Sequence, residues 1–126
     1  MEKEFVPYEQ ALELKELGFD EPCFGLYAPP SKTVFLHHYG LLRAKEQVLA
    51  PLYQQAFRWF REKYGVFTSI VPSKQGSLDY FIGWIYVPSN GTTRDINVGD
   101  YSKGFSTPEE AELACLRKLI EIVKKK

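Results

Sequence analysis

Between residues 49 and 64 apolar side chains recur with a helical period. Leu49, Leu52, Tyr53, Ala56, Phe57, Phe60 and Tyr64 fall on one stripe, and Gln54, Gln55, Arg58, Arg61 and Glu62 on the other. The spacing predicts a core helix over 51–64 with Pro51 in its first turn, where a missing N–H costs nothing. A second, broader apolar face runs through Ala111, Leu113, Cys115, Leu116, Leu119, Ile120, Ile122 and Val123. Its start is marked by Thr107 as N-cap, Pro108 as first helical residue and Glu110 as reciprocal partner in a capping box. Glu109, Glu110 and Glu112 open this helix and Lys124, Lys125 and Lys126 close it, the order a helix dipole favours. A third helix is expected over 7–17, with Tyr8, Ala11, Leu12 and Leu14 inward and Glu9, Glu13 and Glu16 outward. Gly18 stops it and places Phe19 to close back on Leu14.

Residues 66–71, 80–87 and 92–98 are strand-like and read as an antiparallel meander. Ser73-Lys74-Gln75-Gly76-Ser77 and Ser89-Asn90-Gly91, residue types that tight reversals demand, join them. Residues 23–27 and 33–38 predict a β-hairpin, because Pro29 and Pro30 between them cannot continue a ladder. Residues 41–50 are an approach segment: Arg43 to Ala50 favours helix, whereas Pro51 ends or kinks a helix entering from upstream. The expectation is a single α+β domain over 1–126 in which helices pack on an antiparallel sheet. Its C-terminal αβββα unit is preceded by a helix and a β-hairpin.

Composition narrows the functional classes. A chain of 126 residues that is 44% hydrophobic can build a core without metal or disulfide staples. Sixteen Lys plus Arg balance sixteen Asp plus Glu, so no global field draws the chain to nucleic acid or to an anionic membrane. Cys23 and Cys115 form neither a disulfide framework nor a zinc knuckle. No apolar run approaches the roughly 20 residues of a membrane span, and the N-terminus lacks a signal-peptide core, so a cytoplasmic location is expected. Asn90-Gly91-Thr92 is read as a hairpin turn rather than a glycosylation site.

The most suggestive stretch for function is 80–87. As a strand it sends Tyr80, Ile82, Trp84 and Tyr86 to one face and Phe81, Gly83, Ile85 and Val87 to the other. Two helices cover one face. The other is either covered by the N-terminal helix and hairpin or left open as a binding face with Tyr80, Trp84 and Tyr86 as its contacts. Arg58, Arg61 and Lys74 form a candidate nucleic-acid face, interrupted by Glu62, for which a solvated helix surface is the plainer reading. His37, His38 and Cys23 invite a catalytic or metal reading, but adjacent strand residues point to opposite faces and no further ligands stand close in sequence. No Gly-rich phosphate loop and no nucleophile elbow is present, so no catalytic, cofactor-binding or metal residue is assigned.

Two resemblances bear on the expectation. The order helix, three strands, helix with Ser106-Thr107-Pro108-Glu109-Glu110-Ala111 opening the last helix is similar to the double-stranded-RNA-binding domain. That family grips phosphates with lysines at this helix start and uses a Pro-His loop between its first two strands. This chain has acids and Ser73-Lys74-Gln75-Gly76-Ser77 at those positions, so the likeness implies topology without the RNA contacts. The strings YEQALELKELGFDEPCFG, APLYQQAFRWFREKYG and EEAELACLRKLIEIVKK resemble a family of small phage- and prophage-encoded bacterial proteins of uncharacterised function. This likeness implies a shared fold and genomic setting, and no site residues. The functional expectation is a non-enzymatic interaction module with a protein partner and no cofactor. The alternatives are nucleic-acid binding through Arg58 and Arg61, and then a cryptic enzyme.

Overall fold

The computed structural model describes residues 4–27, 32–36, 48–72, 81–99 and 104–125. Among these the chain is an α+β fold of three helices and two antiparallel sheets, and it divides into two compact units, Met1–Ala56 and Phe57–Lys126. The expected α+β class holds.

The first unit is built on β1 (Gly25–Tyr27), which lies between β2 (Phe35–Leu36) and β3 (Val48–Ala50), antiparallel to both. The β1–β2 pairing is the expected hairpin, with Gly25 opposite Leu36. His37 and His38, expected in its second strand, lie outside the described residues. The strand β3 corrects the reading of 41–50 as an approach segment. A residue before proline is pushed toward extended backbone, which suits Ala50 to pairing with Gly25 rather than to a helix. Packed on β3 is α1 (Tyr8–Glu16), preceded by Pro7 in an extended conformation. It buries Gln10, Ala11 and Leu14, while Leu12 stays half-buried. Its end is the expected Schellman motif, with Phe19 N–H donating to Leu14 O at 2.9 Å and Gly18 N–H to Lys15 O at 3.0 Å. Gly18 sits at φ 99°, where a side chain would clash.

Helix α2 (Tyr53–Tyr64) starts later than the periodicity predicts. Val6 N–H donates to Pro51 O at 2.9 Å and Phe5 bridges Leu52, so the N-terminal segment holds residues 51 and 52 extended. Ala56 N–H to Leu52 O is the first helical bond, which places Pro51 before the helix rather than in its first turn. Tertiary pairing overrides the local preference of proline for the first turn. The helix buries Tyr53, Ala56, Trp59 and Phe60; Trp59 was missing from the predicted stripe.

In the second unit β4 (Phe67–Pro72), β5 (Phe81–Ser89) and β6 (Thr92–Val98) form the expected meander, with β5 central. Asn90 and Gly91 take φ 45° and 83°, the positive pair of a type I′ turn, and Thr92 Oγ1 donates to Ser89 O at 2.8 Å. The last helix, α3 (Pro108–Lys124), begins as expected, with Glu110 N–H donating to Thr107 Oγ1 at 3.2 Å. The Glu110 carboxylate does not return the bond, so the capping box is half formed. Along its length α3 lies against β5 and reaches β4 and β6, burying Ala111, Cys115, Leu116, Leu119, Ile120, Ile122 and Val123.

The approach of α3 to the sheet is closest at Gly83. A Cβ added there would collide with Cys115 Sγ, and would also meet Val98 Cβ at 3.4 Å. The Cys115 side chain is fully enclosed, so it has no free direction in which to retreat. Gly83→Ala is therefore expected to destabilise the protein by about 1–3 kcal/mol, the usual cost of overpacking, as measured by urea unfolding. Combining it with Cys115→Ala should recover part of that loss, giving a non-additive cycle.

Candidate binding surface

Directly paired residues of an antiparallel sheet share a face. Gly83, Ile85 and Val87 of β5 form the side on which α3 lies. Ile82, Trp84 and Tyr86 form the other, with Phe67, Ser69 and Val71 beside them on β4 and Asp95 and Asn97 on β6. This second face grades from closed to open. Ile82 is buried, Trp84 and Tyr86 are half-buried, and Phe67 and Val71 are 51% and 40% exposed. Tyr86 and Ser69 share a hydroxyl–hydroxyl bond of 3.1 Å across the strands, which tethers the end of the Tyr86 side chain to β4.

Phe67 is the residue that sequence reasoning missed. It stands opposite Tyr86 in the register, and the Arg61 guanidinium lies 6.0 Å from its ring centre. The run Phe67-Thr68-Ser69-Ile70-Val71 does not alternate cleanly between apolar and polar, so its outward members could not be picked out. Of the three residues predicted for this face, Trp84 and Tyr86 lie on it, and Tyr80 lies outside the described residues.

The predicted basic face is spread thin. Arg58 Nε lies 3.5 Å from Glu62 Oε1 one helical turn on, with both side chains largely exposed. Arg61 is turned to Phe67, and Lys63 Nζ sits 4.9 Å from the Trp59 ring centre and 5.6 Å from that of Tyr64. Lys74 lies outside the described residues. The cations of α2 thus engage a carboxylate or aromatic rings instead of forming a phosphate-sized cluster.

Among the described residues, Cys23, Cys115 and Glu121 have surroundings that account for them structurally, and His37 and His38 lie outside the described residues. Cys23 Sγ donates to Glu21 O at 3.2 Å from a buried position. The Cys115 thiol is pushed up to about 12 by burial, with the nearby Glu112 carboxylate adding to the effect. It stays protonated at neutral pH, and a protonated thiol is a poor nucleophile. At the end of α3, the Glu121 carboxylate is held below its ordinary range by the hydrogen bond from Lys125 and by the charges of Lys118 and Lys125. Among the described residues no three His, Cys, Asp or Glu side chains converge as a metal site requires, and no helix is long and apolar enough to cross a membrane.

Comparison with protein-family models, with curated proteins and with solved structures finds no match to this chain.

Two measurements check this description. Phe67→Ala should cost at most about 1 kcal/mol of stability, because half of the side chain already meets water, whereas Phe60→Ala, in the closed core, should cost about 3–5 kcal/mol. The raised pKa of Cys115 means that its contribution to stability is complete below the ordinary thiol range and is lost as pH climbs toward about 12. The stability advantage of the natural chain over Cys115→Ala should therefore narrow as pH rises through that interval, followed by urea midpoints at each pH.

Proposed function

We propose that the protein is a non-enzymatic interaction module that docks a protein partner on the sheet face carrying Phe67, Trp84 and Tyr86. The observation that carries this reading is the exposed Phe67 ring with the Arg61 guanidinium beside it, continuous with Tyr86 across the strand pair. Aromatic side chains and arginine are the residue types that anchor protein interfaces, and a sheet-borne cluster offers them with little loss of rotamer freedom on binding. The partner most in keeping with the resemblance of the three sequence strings to phage-encoded proteins is a host or phage protein.

Nucleic acid is the second reading, through Arg58, Arg61 and Lys74. The Arg58–Glu62 pair and the engagement of Arg61 with Phe67 weigh against it. The two are separated by affinity isolation of the tagged chain from the cell that encodes it, with variants chosen on exposed side chains. A stoichiometric protein partner that is lost with Phe67→Ala, and kept with Arg58→Glu, supports the docking face. Retained nucleic acid that is released by salt and lost with Arg58→Glu overturns it in favour of the second reading. Unchanged far-ultraviolet circular dichroism of each variant guards against unfolding as the cause.

A further inference from the structure

Among the described residues β4 is an edge of its sheet. It pairs with β5 from Phe67 opposite Tyr86 to Pro72 opposite Phe81, and its main-chain groups that point away from β5 have no backbone partner there. Such a row of N–H and C=O groups is the template on which an extended segment of another protein adds as a strand. The two edges of the sheet differ in what they offer. Strand β6 carries Arg94 and Asp95, charges of the kind that keep an edge unpaired, whereas Phe67-Thr68-Ser69-Ile70-Val71 carries none and is rich in β-branched and aromatic residues. Neither side of β4 is sealed. Phe67 and Val71 are exposed on the face shared with Trp84 and Tyr86, and Thr68 and Ile70, which pair with Ile85 and Gly83 on the α3 side, are half-buried. Pro72, which has no N–H to donate, ends the template.

We propose, resting on the docking reading above, that the partner presents an extended acidic segment, which adds to β4 as a strand along Phe67–Val71 with an aspartate or glutamate beside Phe67. The acid follows from charge. Arg61 is exposed at the Phe67 end of the edge, with its guanidinium 6.0 Å from the ring centre, and has no carboxylate partner among the described residues. The other cations of this helix end are engaged, Arg58 with Glu62 and Lys63 over Trp59 and Tyr64. A carboxylate on the added strand therefore meets the one guanidinium left to pair, in a charge-assisted hydrogen bond. Strand alternation sets the rest of the segment. Its residues beside Ser69 and Val71 share the docking face, where β4 is uncharged, and those beside Thr68 and Ile70 extend the apolar layer on the α3 side. A second copy of β4 does not fit this description, because that strand brings no carboxylate to Arg61.

The test selects from a displayed library of random peptides of about ten residues, enough to span Phe67–Val71 in extended form, on the purified full chain. The most enriched peptide is then synthesised and its binding followed by titration and by amide hydrogen exchange. Enriched sequences are expected to alternate with a strand period and to carry Asp or Glu at one fixed position, and the peptide should slow exchange of the β4 amides. Arg61→Glu, a change on an exposed side chain, should weaken that peptide roughly tenfold and, in a fresh selection, replace the acid at the fixed position with Lys or Arg. A library that yields no enrichment overturns the proposal. So do enriched sequences of helical period, sequences without a fixed acid, and a bound peptide that leaves β4 exchange unchanged. None of these results touches the docking reading, which fails on its own ground if affinity isolation yields no protein that is lost with Phe67→Ala.

Discussion

A helix can lie against the middle strand of the second unit because that strand has no side chain at residue 83. The Cys115 sulfur fills the space a Cβ would occupy, and the polarizable thiol is small enough to fit where a leucine would not. From that contact the rest of the unit follows. With α3 seated on the Gly83 side, Leu116, Leu119 and Ile120 are enclosed, and Ile85 and Val87 have their cover. The opposite face is then the one left with graded exposure, and its aromatic residues acquire a position relative to solvent that strand periodicity alone does not provide. Burial beneath α3, with the Glu112 carboxylate adding to it, also raises the thiol pKa, so the packing that sets the layer spacing contributes to keeping the cysteine protonated.

The first unit joins its buried core with main-chain pairing of its N-terminal segment. Residues 5 and 6 hold residues 51 and 52, and the Tyr27 hydroxyl donates to Val6 O at 2.7 Å from a buried position. Tyr27 also meets Tyr8 edge-on, with ring centres 5.5 Å apart. A short N-terminal segment is thereby tied to a strand, to a helix start and to a tyrosine. Such ties satisfy backbone groups that a three-stranded sheet with strands this short leaves unpaired. They also explain why α2 begins where it does.

Much of the fold was legible in the sequence where the signal was local. The Schellman ending at Gly18, the Asn90-Gly91 turn and the Thr107 cap are each determined by a few adjacent residues, and each forms as expected. What escaped was set by distant partners. Ala50 joins a strand because Gly25 lies beside it, and Pro51 is kept out of the helix by Val6. The candidate face was half legible: alternation in β5 placed Trp84 and Tyr86 on one side, but the irregular pattern of β4 concealed Phe67, whose exposure decides where the surface is open. The engagement of Arg58 with Glu62 could be read from their spacing, whereas that of Arg61 with Phe67 required the turn after α2 to be known.

The placement of the two tryptophans has a spectroscopic consequence. Trp59 and Trp84 both belong to Phe57–Lys126, one enclosed against Phe60 and Tyr64 and the other half open on the sheet. The aromatic rings of Met1–Ala56 are tyrosines and phenylalanines. Indole emission therefore reports on the second unit, and a melt followed by that signal can be complete while the first unit is still folded, or unchanged after the first unit has opened. Coincidence of indole emission with backbone circular dichroism would mean that the chain unfolds as one cooperative body, and separation of the two would resolve it into two.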